Sequence, residues 1–107
     1  MKALLRNVIK TLLGAIFFAG LAQNAIAAGN PTIGKIKAIS CQVCHGKDGH
    51  STNPIYPKLA GQHAKYIIKQ MEDFKNKSRI DPVMNEMAPT LSDKDIADIA
   101  AYFENVK

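Results

Sequence analysis

The chain has 107 residues, 14 of them Lys or Arg and 9 Asp or Glu, with a formal net charge of +5 and two cysteines. Three of the 14 basic residues (Lys2, Arg6 and Lys10) fall in the first ten positions, leaving 11 against 9 acids, so the charge excess does not point to nucleic acid; no glycine-rich phosphate loop, aromatic stacking pattern or basic tract does so either. A chain this short is one small domain, and it struggles to build a sufficient core alone.

Residues 1–27 read as a secretory signal. Lys2, Arg6 and Lys10 form a basic start, Thr11 to Ala22 is almost wholly apolar, and Ala25-Ile26-Ala27 is a small-x-small cleavage site. The apolar run is shorter than the roughly 20 residues of a comfortable membrane span. The expectation is therefore cleavage near Ala27, export to the periplasm and a mature domain over residues 28–107. An uncleaved membrane anchor is the alternative.

Asn30-Pro31 predicts a helix start, with Asn at the cap and Pro at the first helical position. The helix should run through Ile33, Gly34, Ile36, Ala38 and Ile39 into Cys41. Gly34 inside it costs about 1 kcal/mol relative to Ala. It marks either fraying near a terminus or close approach of another helix.

Cys41-Gln42-Val43-Cys44-His45 is the most informative stretch. The pattern C-x-x-C-H is the attachment signature of a c-type haem. Two cysteines three apart on a helical turn can each form a thioether to one porphyrin vinyl group, and the adjoining histidine can ligate the iron. A thioredoxin-like disulfide would need a βαβ setting, which the pattern lacks. A structural zinc site would need four ligands, and there is no second cysteine pair.

Gly46 to Pro57 reads as a loop rich in breakers. Gln62 to about Lys75 predicts a second helix with Ala64, Ile67, Ile68, Met71 and Phe74 as its apolar stripe. Asn76 to Pro89 reads as irregular. Ser92 starts the last helix, with Asp95 completing a capping box and Ile96, Ile99, Ala100, Phe103 and Val106 on the buried side. No strand pattern or repeat appears, so the fold class is all-α.

A second axial ligand has several candidates. His50 is too near His45 to reach the opposite face easily, His63 reads as a surface histidine, and Met71 lies on a stripe where methionine usually fills core. Met84 and Met87 lie well after the motif, in a stretch free to cover the other face of the haem.

The chain resembles the class I c-type cytochromes over its whole mature part. It is most similar to single-haem periplasmic cytochromes related to one half of the tandem di-haem cytochromes. The stretches that carry the resemblance are Cys-His-Gly-x-Asp-Gly at 44–49, Pro-Lys-Leu-Ala-Gly-Gln at 57–62 and Met-x-x-Met-Ala-x-x-Leu-Ser-Asp-x-Asp-Ile at 84–96. It implies a small cytochrome c fold, three to four helices wrapped around one covalently bound haem c. It implies Cys41 and Cys44 as thioether anchors, His45 as the proximal iron ligand, and Pro57 as the residue whose carbonyl accepts a hydrogen bond from that imidazole. It places the distal ligand at Met84, with Met87 as second choice, and a helix crossing at Gly34 near Tyr102 and Phe103.

The function this implies is one-electron transfer in a respiratory chain, not enzymatic catalysis, because two axial side chains leave no open coordination position. The partners implied are a donor reductase and an acceptor oxidase or reductase, with membrane contact only through them and a monomeric carrier. Lys47, Lys58, Lys65 and Lys69 are either solvated lysines or part of a docking rim. Rival functions are a haem enzyme or gas sensor with an open distal position, a thiol oxidoreductase, and an electron-entry subunit of a larger complex.

Overall fold

The computed structural model describes residues 28–107; the expected signal segment and cleavage site fall outside the described residues. Five helical segments follow one another: α1 (Pro31–Lys37), α2 (Gln42–His45), α3 (Ala64–Lys75), α4 (Met84–Met87) and α5 (Asp93–Asn105). Single 3-10 turns span Lys47–Gly49 and Ala88–Thr90, and no strand occurs among the described residues. The all-α expectation holds, with α1, α3 and α5 as the substantial helices and α2 and α4 as single turns.

α1 starts as expected. The Asn30 side chain accepts from the amides of Thr32 and Ile33 at 2.9 and 3.1 Å, and Pro31 opens the helix. It ends at Lys37, however, short of Cys41. Beyond it the chain tightens to three-residue bonds, Ile39 N–H to Ile36 O and Cys41 N–H to Ala38 O. Ile39 and Ser40 are mediocre helix formers. The tighter turn keeps Ala38 fully buried while it redirects the cysteine segment.

α3 begins at Ala64, two residues later than Gln62. Gly61 sits at φ +73°, outside the helical region, and donates its N–H to Phe103 O at 2.8 Å. The first amide of the helix, that of Ala64, finds its acceptor across the molecule in Glu104 Oε1 at 2.9 Å. α5 carries the expected capping box: Ser92 Oγ accepts from Asp95 N–H and Asp95 Oδ2 accepts from Ser92 N–H.

The core lies where α1 and α3 pack on α5. Ala38, Ile67, Ile99, Ala100, Tyr102 and Phe103 form its centre, with Leu59, Ile68, Met71 and Leu91 packed around them. At Gly34 a Cβ would come within 1.9 Å of Asp98 O and 3.0 Å of Tyr102 Cβ. Gly34 is thus a close helix crossing, not a frayed end. Gly29 repeats the device one step earlier, where a Cβ would meet Ala97 O at 1.8 Å.

Candidate cofactor site

The attachment segment is one turn of helix. His45 N–H donates to Cys41 O at 2.9 Å and Cys44 N–H to the same oxygen at 3.3 Å. Residues three apart on such a turn share a side, so Cys41 and Cys44 face together. Both are half-buried and neither is in a disulfide. Cys41 packs against the core, and burial pushes its thiol up. Reactive thiol pairs need the opposite shift. Among the described residues no cluster of three or more His, Cys, Asp or Glu side chains is present, so the zinc alternative has no ligand set.

His45 is 8% exposed, and its Nδ1 lies 2.8 Å from Pro57 O. A carbonyl can only accept, so Nδ1 carries the proton. The neutral ring then has its lone pair on Nε2, which makes no hydrogen bond among the described residues and is not sealed from the surface. The contact expected of Pro57 is therefore present, and it selects the tautomer that can bind a metal.

Three features bring Pro57 to this point. The amides of Leu59 and Ala60 both donate to Gly49 O, at 2.9 and 3.1 Å, and pin the returning loop to the turn after His45. Gly49 (φ +79°) has no room for a side chain, since a Cβ would lie 2.8 Å from Ala60 N and from the Phe103 ring. Asp48 sits at φ 52°, a left-handed conformation that Asp tolerates better than most residues. Its N–H donates to Gln42 Oε1, and its carboxylate accepts the Tyr102 hydroxyl. Burial, and then the Asp48 carboxylate, push the Tyr102 phenol up to about 12. Asp48 stood in the Cys-His-Gly-x-Asp-Gly stretch and Tyr102 at the helix crossing, but the bond between them was missed. The only local signal was an Asp in a Gly-x-x-Gly turn.

Met84 opens α4 and Met87 closes it, so the stretch read as irregular contains a helical turn. The start of that turn repeats the Asn30-Pro31 signature. Asp81 Oδ1 accepts from the amides of Val83 and Met84 at 3.0 and 2.9 Å, with Pro82 between. The signature was legible in Asp81-Pro82 and was masked by the prolines and methionines around it. Met84 is partly buried, whereas Met87 is 39% exposed.

The other candidates stay at the margins. His50 is exposed, with its ring against Lys107 O, and His63 is exposed beside Glu104. Met71 packs on the core as a filler. Lys47, Lys58 and Lys65 are exposed, and Lys69 pairs with Asp73 along α3.

The family model for cytochrome c matches residues 32–107. The chain belongs to the cytochrome c family. It is similar to cytochrome c4 of Pseudomonas aeruginosa, 46% identical over 98 residues, which cover 92% of this chain and 49% of the relative. It is likewise similar to cytochrome c-554(548) of Halomonas halodenitrificans, 46% identical over 81 residues, or 73% of this chain and 98% of the relative. The crystal structure of reduced recombinant cytochrome c4 from Pseudomonas stutzeri superposes with a TM-score of 0.71 at 43% identity, covering 75% of this chain and 47% of that one. The chain spans about half the length of the cytochromes c4 it matches.

The residues of this cytochrome fit the family's prosthetic group. Two thiols share one turn, a buried imidazole has a free Nε2, and the partly buried Met84 carries a thioether sulfur. Ile55, Ile80 and Val83 place large exposed apolar side chains in the loops that carry Pro57 and Met84, a surface suited to a porphyrin. The cofactor is covalently bound haem c with iron.

Proposed function

We propose that this cytochrome is a periplasmic one-electron carrier of a respiratory chain, with Cys41 and Cys44 as thioether anchors and His45 and Met84 as axial ligands. The observation that carries the reading is the 2.8 Å contact between His45 Nδ1 and Pro57 O. When bound, the haem supplies a one-electron couple between ferric and ferrous iron. Cys41 and Cys44 hold the group at two points. Pro57 O keeps the imidazole proton on Nδ1 and fixes the ring, which leaves the lone pair on Nε2. Met84 offers an uncharged, polarisable sulfur, which as a ligand would favour the ferrous state and raise the potential above that of a bis-histidine site. With His45 and Met84 both holding the iron, a substrate would find no free coordination position. The partners of this reading are a donor reductase and an acceptor oxidase or reductase, met by a monomer that touches membranes only through them.

The test is a redox titration of the purified holoprotein with absorption spectra. A single one-electron transition is expected, with a near-infrared Fe–S charge-transfer band in the ferric form. Met84→Ala should abolish the band and lower the potential, while Met87→Ala should keep both. If Met87→Ala loses the band and Met84→Ala retains it, the distal ligand is Met87. A high-spin ferric spectrum in the wild type would instead indicate an open site and an enzyme or sensor.

A further inference from the structure

The geometry points to Asn85 and Asp81 as positioning residues that hold Met84 in place for the iron, an inference that rests on Met84 as the distal ligand. A methionine side chain has three rotatable bonds. The placement of its sulfur therefore depends on how firmly the backbone beneath it is held. α4 is a single turn, and a turn of that length does not sustain itself. Something outside it has to fix it.

The Asn85 amide does so with both of its donors and its oxygen. Nδ2 donates to Phe74 O and to Arg79 O, both at 2.9 Å, and Oδ1 accepts the Asp81 N–H at 2.8 Å. Two carbonyls on one end and an N–H on the other leave only one orientation for the amide. The Asn85 N–H closes the circle on Asp81 O at 2.9 Å. Asp81 in turn accepts the amide of Met84 itself. Met84 is thus gripped on its own N–H, and its neighbour is tied to the end of α3.

The anchor points are firm. Phe74 is buried in α3, and the Arg79 guanidinium lies 4.7 Å over its ring while Nη1 donates to Gln70 Oε1 at 2.6 Å. Helix α3 and the Met84 turn therefore move as one piece. Releasing either end of the clamp should leave the fold and free the sulfur to leave the iron.

The experiment measures imidazole binding to the ferric holoprotein, since imidazole competes with Met84 for the same position. Asn85→Ala should bind imidazole about tenfold more tightly than wild type, the factor that a hydrogen bond of ordinary net strength supplies. Its near-infrared band should weaken in parallel. Asp81→Ala should shift in the same direction, and it tests the other end of the clamp if Asn85→Ala fails to assemble. Asp81→Asn retains Oδ1 and should behave as wild type. Ile96→Val, a core change on α5, should lower stability without altering imidazole affinity. If Ile96→Val tightens binding as much as Asn85→Ala, the effect is general loosening and the clamp is refuted. If Met84→Ala abolishes the band while Asn85→Ala and Asp81→Ala bind imidazole like wild type, the clamp fails and the ligand assignment stands. If Met84→Ala keeps the band, both fall together.

Discussion

Asp98 is fully buried, and each of its oxygens is used. Oδ1 accepts Asn30 N–H and Lys94 Nζ, and Oδ2 accepts Lys37 Nζ, each at 2.8 Å. The Asn30 amide, with Lys37 and Lys94 after it, holds the Asp98 carboxyl well below the usual carboxylate range. Lys37 also reaches Asp95 at 2.6 Å, and this contact, with the Ser92 cap, lowers Asp95 to about 2. Both folded values lie below the unfolded one of 3.8, so the stabilisation is fully present above about pH 4 and is lost as pH falls toward 2 and below. Denaturant unfolding of the holoprotein at pH 7 and pH 3 should show less pH dependence in Asp98→Asn than in the wild type, and a lower stability at pH 7. Equal pH dependence in the two proteins would mean that acid sensitivity arises elsewhere. Asp98 escaped the sequence reading because its spacing from Lys94 is that of an ordinary surface pair on a helix. Only the arrival of α1 buries it.

The elements depend on one another at the crossing of α1 with α5. An alanine at an exposed helical glycine gains about 1 kcal/mol in propensity. At Gly34 the added Cβ would strike the Asp98 carbonyl at 1.9 Å, and backbone cannot step aside as a side chain can. Overpacking of this kind costs about 1–3 kcal/mol and sometimes more. Gly34→Ala should therefore destabilise the holoprotein, by about 2 kcal/mol, in equilibrium urea unfolding. A rise in midpoint would show that the helices separate freely. Gly34 lies on α1, so the same change should strain the Lys37 contacts to Asp95 and Asp98 one turn along.

For the molecule as a whole, the polypeptide core is small. Its largest fully buried side chains are Phe103, Ile96 and Asp98, and one of these is a carboxylate. Ile55, Ile80 and Val83 remain exposed in the loops around the cofactor site. A domain of this size needs a staple beyond its own apolar side chains, and a covalently bound haem supplies apolar surface and covalent attachment. The double variant Cys41→Ala/Cys44→Ala should hold no covalent haem and should lose cooperative thermal unfolding followed by circular dichroism. A variant that melts cooperatively at the wild-type temperature without haem would place the stability in the polypeptide alone. Replacing one cysteine should leave at most one thioether, readable as haem extracted by acidified organic solvent only in the double variant.

The sequence by itself determined the chemistry and the three main helices of this cytochrome. Cys41, Cys44 and His45 are read from covalent spacing within one turn, and Asn30, Pro31, Ser92 and Asp95 from capping bonds that close within three residues. Such signals are local, so no knowledge of the rest of the chain is needed. The tertiary structure decided what distant segments do to each other. It put Tyr102 on Asp48 and tied Asn85 to the end of α3, and it made the contact of Pro57 O with the His45 ring that the resemblance, not any local pattern, implies. It also decided between a frayed end and a helix crossing at Gly34 in favour of the crossing with α5, and ended α1 at Lys37 with Ala38 buried behind it. These partners lie 11 to 64 residues apart and meet only when the helices and loops pack together, which burial drives and no local pattern records.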